Sequence, residues 1–165
     1  MSQVFERNRK EAETDYISLA TEIRVEVLSL VMNENVVPKR KRLVLGAPIA
    51  DTARSHVCNV NRANRFYPSN SYNVLERKRY LGLALADCDS LEQDFACLVA
   101  MGCASPGRLE RIAGMICDEA DKVSKKRKYT RIVGSASVDD RLAAARAEVE
   151  RLEAVALDQP GGYNA

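Results

Sequence analysis

Apolar residues in the first 130 positions of the chain recur at the spacing of an α-helix. In the first segment, Tyr16, Ala20, Ile23, Val27 and Leu30 follow one another at intervals of three and four residues, which places them on one stripe of a helix. No stretch shows the sustained alternation of apolar and polar residues that is typical of a strand. The pattern therefore predicts an all-α fold.

Three further segments carry similar stripes and predict three more helices. Their members are Ile49, Ala53, His56, Val60 and Ala63 in the second helix, Val74, Leu81, Cys88 and Phe95 in the third, and Leu109, Ala113, Ile116, Ala120 and Val123 in the fourth. The third set recurs every seven residues, which predicts that neighbouring helices pack at a small angle. Pro38 suits the first turn of the second helix, because the N–H that proline lacks would have no helical partner there.

These stripes and the polar breaks between them predict helices at about residues 12–33, 38–65, 71–101 and 105–128. The connections are short, so neighbouring helices are expected to run in opposite directions, as in an up-down-up-down four-helix bundle over residues 1–131. Residues 132–165 are predicted to form a C-terminal extension with a short Ala- and Glu-rich helix and a disordered end.

The composition is that of a soluble globular protein, with 46% hydrophobic and 29% charged residues. No apolar run approaches the roughly 18 residues that span a bilayer, and the polar N-terminal segment does not resemble a signal peptide. We therefore expect a protein of the bacterial cytoplasm without a membrane partner. The five cysteines form no C-x-x-C pair and have a single histidine, His56, to help them bind a metal. We expect reduced, mostly buried thiols, no metal and no cofactor.

The sequence also lacks the common motifs of catalytic sites, since it contains no G-x-G-x-x-G, no P-loop and no G-x-S-x-G. His56 falls on an apolar stripe and is predicted to be a satisfied core or interface histidine. Cys58 lies two residues further on, where a helical side chain points to a different face, so the two are not expected to act as a nucleophile pair. We expect no enzymatic activity.

Charge is strongly segregated along the chain, although the net charge is only +2. Residues 36–80 carry ten Lys or Arg and two acidic residues, residues 81–121 carry two and eight, and residues 122–131 carry six and none. In the predicted bundle, the end of the second helix, the start of the third and the end of the fourth meet at one pole. The cations expected to converge there are Arg62, Arg65, Arg77, Lys78, Arg79, Lys122, Lys125, Lys126, Arg127, Lys128 and Arg131.

A second basic run is expected at the opposite pole, close to Glu92 and Asp94 of the third helix, and is expected to be partly neutralised within the protein or by a neighbouring subunit. Its members are Lys39, Arg40, Lys41 and Arg42. Arg77 is unusual because it occupies a core position of the heptad, where it either reaches solvent, pairs with Asp51 or Glu76, or lines a subunit surface.

Convergence of many cations favours an anionic ligand, because like charges repel unless something negative lies near them. A nucleic-acid backbone is one such ligand, and Tyr67, Tyr72, Tyr80 and Tyr129 lie beside the basic segments, where they could stack on unpaired bases. An acidic protein surface is a second interpretation. A solvated face that stabilises helix C-termini without any ligand is a third.

The second and third helices resemble a known protein family. They read PKRKRLVLGAPIADTARSHVCNVNRANR and YNVLERKRYLGLALADCDSLEQDFACLVAMG, with a basic stretch, an L-x-x-x-I-x-x-x-A pattern, an Asn-containing helix end and an E-R-K-x-Y-L start. These features are similar to the bacterial four-helix bundle family first noticed in ribosomal-RNA intervening sequences. That family includes the accessory variability determinant (Avd) proteins of diversity-generating retroelements. The resemblance extends from Tyr16 to Arg127.

The resemblance implies a non-enzymatic bundle that assembles as a pentamer and binds both a reverse transcriptase and nucleic acid during mutagenic copying of template RNA into cDNA. The basic positions that it assigns to nucleic-acid binding are Arg54, Arg62, Arg65, Arg77, Lys78 and Arg79. Apolar residues on more than one helical face also favour a homo-oligomer. Our leading hypothesis is therefore an Avd-like accessory protein. The alternative is a homo-oligomeric adaptor whose basic pole docks an acidic protein.

Overall fold

The structure of the protein is a computed structural model that describes residues 2–133, 142 and 145–150, with side chains from residue 15 onward. The described chain contains four long helices: α1 at Ser2–Met32, α2 at Ala47–Arg65, α3 at Ser71–Ala100 and α4 at Pro106–Tyr129. A 3₁₀ turn at Lys39–Lys41 and a π-helical turn at Arg42–Gly46 precede α2. Within the described ranges no residue forms a strand, which confirms the predicted all-α class.

The chain divides into two compact units, Met1–Ile132 and Val133–Ala165. The first unit contains all four long helices. In the second, residues 145–150 are helical and exposed. The disordered end that the sequence predicts lies outside the described residues. None of the described helices is long and apolar enough to cross a membrane.

Helices α1 and α3 each contact both α2 and α4, and their apolar stripes form two clusters of buried residues. The larger cluster, the first core, contains Ile23, Val27, Val31, Val36, Val37, Ile49, Ala53, Cys88, Leu91, Phe95, Leu98, Leu109, Ile112 and Ile116. The smaller cluster, the second core, contains Tyr16, Ala20, Val60, Ala63, Leu81, Ala84 and Val123. Burial of these side chains is the main source of stability that the fold offers.

The start of α1 differs from the prediction. The apolar stripe predicted a start near residue 12, whereas the helix begins at Ser2. The first ten residues contain neither Gly nor Pro, so the backbone continues in helical form beyond the stripe that marks the packed face.

The start of α2 also differs, because the segment predicted to be α-helical from Pro38 contains two other kinds of turn. Pro48 lies in the first turn of α2, where its ring excludes a normal hydrogen bond to the carbonyl group of Val44. The preceding residues, Arg42–Gly46, instead form a π turn. This wider turn leaves Leu43 and Val44 on the surface, where they are 83% and 72% exposed.

The buried face of α4 is the third difference. The predicted stripe used Ala113 and Ala120, but both are only half-buried. The buried residues are instead Leu109, Ile112, Ile116, Glu119 and Val123. A stripe built from apolar residues alone could not include Glu119, which occupies a core position and is 0% exposed.

The ends of α3 are fixed by local hydrogen bonds. At the start, the Asn70 side chain accepts a hydrogen bond from the backbone N–H of Asn73 at 2.8 Å, which satisfies one of the unpaired donors of the first turn. At the end, Gly102 has a φ of 65°. Its N–H donates to the Val99 carbonyl and that of Cys103 to the Leu98 carbonyl, both at 2.9 Å. This pair of bonds is a Schellman motif, which requires a left-handed residue at the position of Gly102.

We predict that Gly102→Ala lowers the free energy of unfolding by about 1 kcal/mol, because a side chain disfavours the left-handed conformation. No atom lies within 4 Å of the Cβ position, so crowding adds nothing to this cost. Gly114→Ala is the matched control, since Gly114 lies inside α4 with equally open space and its replacement should stabilise the protein by roughly 0.5–1 kcal/mol. Urea unfolding followed by circular dichroism measures both, and shifts of the same sign would contradict the prediction.

Candidate nucleic-acid interface

The end of α2 meets the start of α3 at an aromatic cluster. The rings of Phe66 and Tyr80 stack with centroids 5.7 Å apart, and Tyr72 contacts Phe66 edge-on at 6.5 Å. The guanidinium groups of Arg62 and Arg79 lie 5.9 and 5.2 Å from the centroid of the Tyr80 ring. Tyr80 thus holds cations from two helices close together through cation–π contacts.

A groove on the other side of α3 brings together cations of α3 and α4. It has a volume of about 300 Å³ and is lined by Lys78, Ser124, Arg127 and Lys128. The guanidinium of Arg127 lies against α3 at Gly82, whose missing side chain leaves room for it: a Cβ there would be 3.6 Å from Arg127 Nε. The lining contains three cations, one hydroxyl group and no acidic residue.

The last turns of α4 carry cations on their α1 side as well. Lys125 and Lys126 line a second cavity with Tyr16 and Tyr129. The Lys126 ammonium lies 5.8 Å from the Tyr16 ring centroid, and that of Lys128 lies 5.7 Å from the Tyr129 ring centroid.

These three groups of contacts are linked by sequence neighbours, Lys78 with Arg79 and Lys126 with Arg127, and we call them together the basic cluster. Its members are Arg62 of α2, Lys78 and Arg79 of α3, and Lys125, Lys126, Arg127 and Lys128 of α4. Two acidic residues lie beside it. Glu76 pairs with Arg79 at 3.1 Å, and Asp15, which lines the cavity of Lys125 and Lys126, pairs at 2.6 Å with Lys122 of the same lining. Lys122, predicted as a binding residue, is therefore already bound to a carboxylate.

The other predicted binding residues occupy different surroundings. Arg65 and Arg131 are exposed at or just beyond the ends of α2 and α4. Arg54 is exposed in the middle of α2 and pairs with Asp51 at 3.7 Å. No contact described above joins these three residues to the basic cluster.

Arg77 differs from the other predicted binding residues because it is buried, with only 7% of its surface exposed. Its Nη1 donates a hydrogen bond to the Phe66 carbonyl at 3.3 Å, which ties α3 to the end of α2. Neither suggested ion pair forms, since Asp51 pairs with Arg54 and Glu76 with Arg79. A guanidinium buried in this way supports the loop rather than offering a charge to a ligand.

Two of the four cations of the basic run at Lys39–Arg42 pair with Glu34, which the sequence did not suggest. Lys39 and Arg42 lie 3.2 and 3.9 Å from the carboxylate of Glu34, and Lys41 lies 3.6 Å from Cys103 Sγ, just beyond the end of α3. Arg42 also donates hydrogen bonds to the carbonyls of Met32 and Val37. The guanidinium of Arg42 therefore satisfies one carbonyl at the last residue of α1 and one in the loop that follows, which is a structural role.

A polar group is buried between the two cores, where α2, α3 and α4 meet. His56 and Glu119 are both 0% exposed, and His56 Nε2 lies 3.4 Å from Glu119 Oε1. On the other side of the ring, His56 Nδ1 lies 3.0 Å from the Ala84 carbonyl and 3.7 Å from Cys88 Sγ. A carbonyl only accepts, so Nδ1 carries a proton and donates it to Ala84. His56 is thus a core histidine, as the sequence predicted, but only its Nδ1 has a hydrogen-bond partner.

Burial and partner contacts act in opposite directions on the pKa of His56. Burial lowers it, but contacts with Cys88 and Glu119 outweigh burial and raise the pKa from 6.5 to about 10. We therefore assign His56 as an imidazolium at neutral pH. Burial raises the pKa of Glu119, an effect that His56 opposes. At 3.4 Å the contact is an ion pair rather than a well-formed hydrogen bond, and neither Glu119 oxygen has a hydrogen-bond partner.

Sequence reasoning missed Glu119 because charged residues were excluded from the predicted stripe. The signal was present in the spacing: Glu119 stands three residues after Ile116 and four before Val123, both of which are buried. A histidine on the stripe of α2 was the second signal, since a buried imidazole needs a partner.

The thiols are less buried than predicted. All five cysteines are free, but only Cys88 is buried, whereas Cys58, Cys97 and Cys117 are exposed and Cys103 is half-buried. The sequence prediction treated cysteine as a residue type that is usually buried. Cysteines that do not lie on the packed faces of the helices remain at the surface. Among the described residues, no group of His, Cys, Asp and Glu side chains could hold a metal ion.

We predict that the free energy of unfolding falls as pH rises from about 6.5 to about 10. Since the pKa of His56 is raised in the folded state, its contribution is fully present below pH 6.5 and is lost as pH passes through about 10. The raised pKa of Glu119 acts with the same sign, because the folded protein holds that proton more tightly than the unfolded chain. Chemical denaturation at a series of pH values measures the trend.

The double variant His56→Leu/Glu119→Leu is the control for this prediction. It removes both titrating groups at similar volume, so its stability should depend less on pH and be close to or above that of the wild type at neutral pH. Either single replacement leaves a buried charge unpaired and should cost about 3–5 kcal/mol. Parallel pH profiles for the wild type and the double variant would contradict the assignment of an ion pair.

Comparison with known proteins gave no match of any kind: no family model and no curated protein matches the sequence, and no solved structure matches the fold.

Proposed function

We propose that this protein is a non-enzymatic nucleic-acid-binding accessory factor that acts with a reverse transcriptase and template RNA in the cytoplasm of a bacterium carrying a diversity-generating retroelement. The observation that supports the proposal is the basic cluster, in which cations of α2 and α3 share the Tyr80 ring and cations of α3 and α4 line one groove that contains no acidic residue. The resemblance of α2 and α3 to Avd-like proteins implies that the protein partner is a reverse transcriptase.

Electrostatics supports a polyanionic ligand for the basic cluster. Lys78, Arg127 and Lys128 line one groove without a carboxylate among them, so their mutual repulsion is not offset within the groove. Phosphate oxygens offset it through charge-assisted hydrogen bonds, and displacement of counterions from the nucleic acid adds an entropic gain.

The proposal includes an antiparallel arrangement of the four helices. Residues late in α2 contact residues early in α3, as in the bond between Arg77 and Phe66, whereas Asn59, nearer the middle of α2, bonds to Asp87, further along α3. The ion pairs between α1 and α4 also join a later residue of one helix to an earlier residue of the other. Glu26 pairs with Arg111, and Asp15 pairs with Lys122. This arrangement places the end of α2, the start of α3 and the end of α4 at one pole.

The absence of catalysis is part of the proposal and rests on the surroundings of the reactive groups. His56 and Cys88 contact each other but are buried, so a substrate has no access to them. Cys117 is exposed, but partial loss of solvent around its thiol group, its contact with Glu92 and the nearby carboxylates of Asp118 and Asp121 raise its pKa. A raised pKa lowers the thiolate fraction and therefore the reactivity of the thiol.

We predict that the protein binds a fluorescein-labelled oligonucleotide of about 20 nucleotides with an affinity that falls by about two decades or more between 50 and 200 mM salt, since several phosphate contacts release counterions. Fluorescence anisotropy titrations at several salt concentrations measure the slope. Affinity that does not change with salt, or no binding at 50 mM, would contradict nucleic-acid binding and favour an acidic protein partner.

Arg127→Glu tests the location of this binding, and Arg108→Glu is its matched control. Both residues are exposed on α4 and both changes remove the same amount of positive charge, but Arg108 lies in the first turn, distant in sequence from the basic cluster. Arg127→Glu should weaken binding about tenfold or more and flatten the salt dependence, whereas Arg108→Glu should have a much smaller effect. Equal losses would indicate that only net charge matters.

We also predict a homo-oligomer, which the resemblance implies and exposed apolar side chains support. Leu43, Val44 and Met32 are 83%, 72% and 69% exposed, near the end of α1 and the turn before α2. Surfaces of this kind are commonly covered by a partner. Light scattering coupled to size exclusion should give a mass that is a multiple of 18.3 kDa, and a single species of monomer mass would contradict this prediction.

A further inference from the structure

We infer that the basic cluster binds an unpaired nucleic-acid strand, with bases stacked on the exposed rings of Tyr72 and Tyr129 and phosphates bound by the cations beside them. This inference rests on the proposed function and goes further, because it specifies the form of the nucleic acid and the residues that select it.

The distribution of aromatic residues is the first argument. The chain is poor in them, at 5% of all residues. Among the described side chains, Phe95 alone belongs to the first core. The others lie at the second core or beside the basic cluster: Tyr16, Phe66, Tyr67, Tyr72, Tyr80 and Tyr129. Aromatic rings and cations therefore occupy the same end of the four-helix unit.

The exposure of particular rings is the second argument. Tyr129 is 71% exposed and Tyr72 is 65% exposed, so these rings add little to the core. Tyr72 is held against Phe66, which in turn stacks on Tyr80. A supported but exposed ring offers a flat surface on which a base can stack, at a low cost in side-chain entropy.

The cations lie where the phosphates of such a strand would run. Lys128 contacts the Tyr129 ring and also lines the groove with Lys78 and Arg127. On the other side of α3, Arg79 lies over Tyr80, which stacks on Phe66, and Tyr72 contacts that Phe66 ring edge-on. Tyr129 thus contacts a cation directly, and Tyr72 is connected to the cations at Tyr80 through Phe66. This arrangement suits alternating base and phosphate contacts.

A duplex cannot use this arrangement fully. Its bases are stacked on one another, so it presents phosphates and base edges but no free base faces to a protein side chain. The cations alone would bind it, and the exposed rings would contribute nothing. The structure therefore favours an unpaired strand over a duplex of the same length.

Fluorescence anisotropy with a labelled single strand of about 20 nucleotides and with the matching duplex tests the inference, at one fixed salt concentration. The wild type should bind the single strand about tenfold more tightly. Tyr72→Leu and Tyr129→Leu should each weaken single-strand binding about 5-fold to 100-fold and leave duplex binding unchanged. Tyr72→Phe and Tyr129→Phe keep the ring and should bind as the wild type does.

The outcomes separate this inference from the proposed function. Equal affinity for strand and duplex, or unchanged single-strand binding in both Leu variants, overturns the inference and leaves nucleic-acid binding in place. No binding of either probe overturns both. Since Tyr72 and Tyr129 are exposed, the Leu variants should fold, and unfolding curves that match the wild type verify this.

Discussion

The buried ion pair between His56 and Glu119 is the interaction on which the packing of α2, α3 and α4 depends. His56 lies between Ala53 of the first core and Val60 of the second, and Glu119 lies between Ile116 and Val123 in the same way. The pair therefore forms a polar layer that separates the two apolar clusters. A shift of one helix by a turn would leave a charge in an apolar environment, at a cost of several kcal/mol. Apolar contacts alone would tolerate such a shift more easily, so the pair fixes the alignment of the helices.

This alignment also sets the position of the basic cluster. The second core lies on the side of the polar layer that leads to the end of α2, the start of α3 and the end of α4. The contact between His56 and Glu119 aligns α2 with α4, while Ala84 and Cys88 of α3 contact the same imidazole, so the positions of Arg62, Lys78 and Arg127 follow from this alignment. Lys78 and Arg127 line one groove without a carboxylate, so their mutual repulsion opposes the packing that the polar layer stabilises.

The sequence predicted the helical class and most of the packed faces because apolar spacing reports directly on burial. The prediction of burial failed for residues whose chemical type is unusual for the environment in which they lie. Glu119 and Arg77 are charged but buried, and each is stabilised by a partner on another helix or loop that spacing within one helix cannot identify. Cys58 and Cys117 show the opposite case, since they are residues of a commonly buried type that lie on exposed faces. The candidate site was predicted as a charge cluster, whereas the roles of Tyr80 and Gly82 in holding its arginines depend on three-dimensional contacts.

The segregation of aromatic residues has a consequence for optical spectroscopy. The chain has no Trp, and four of its six tyrosines belong to the second core or to the aromatic and cationic contacts around it: Tyr16, Tyr72, Tyr80 and Tyr129. The near-ultraviolet dichroism of these four tyrosines therefore reports on the second core and its surroundings, while far-ultraviolet signals report on every helix. Two probes of one sample thus observe different parts of the molecule. Any difference between their unfolding transitions would measure how tightly the polar layer joins the two cores.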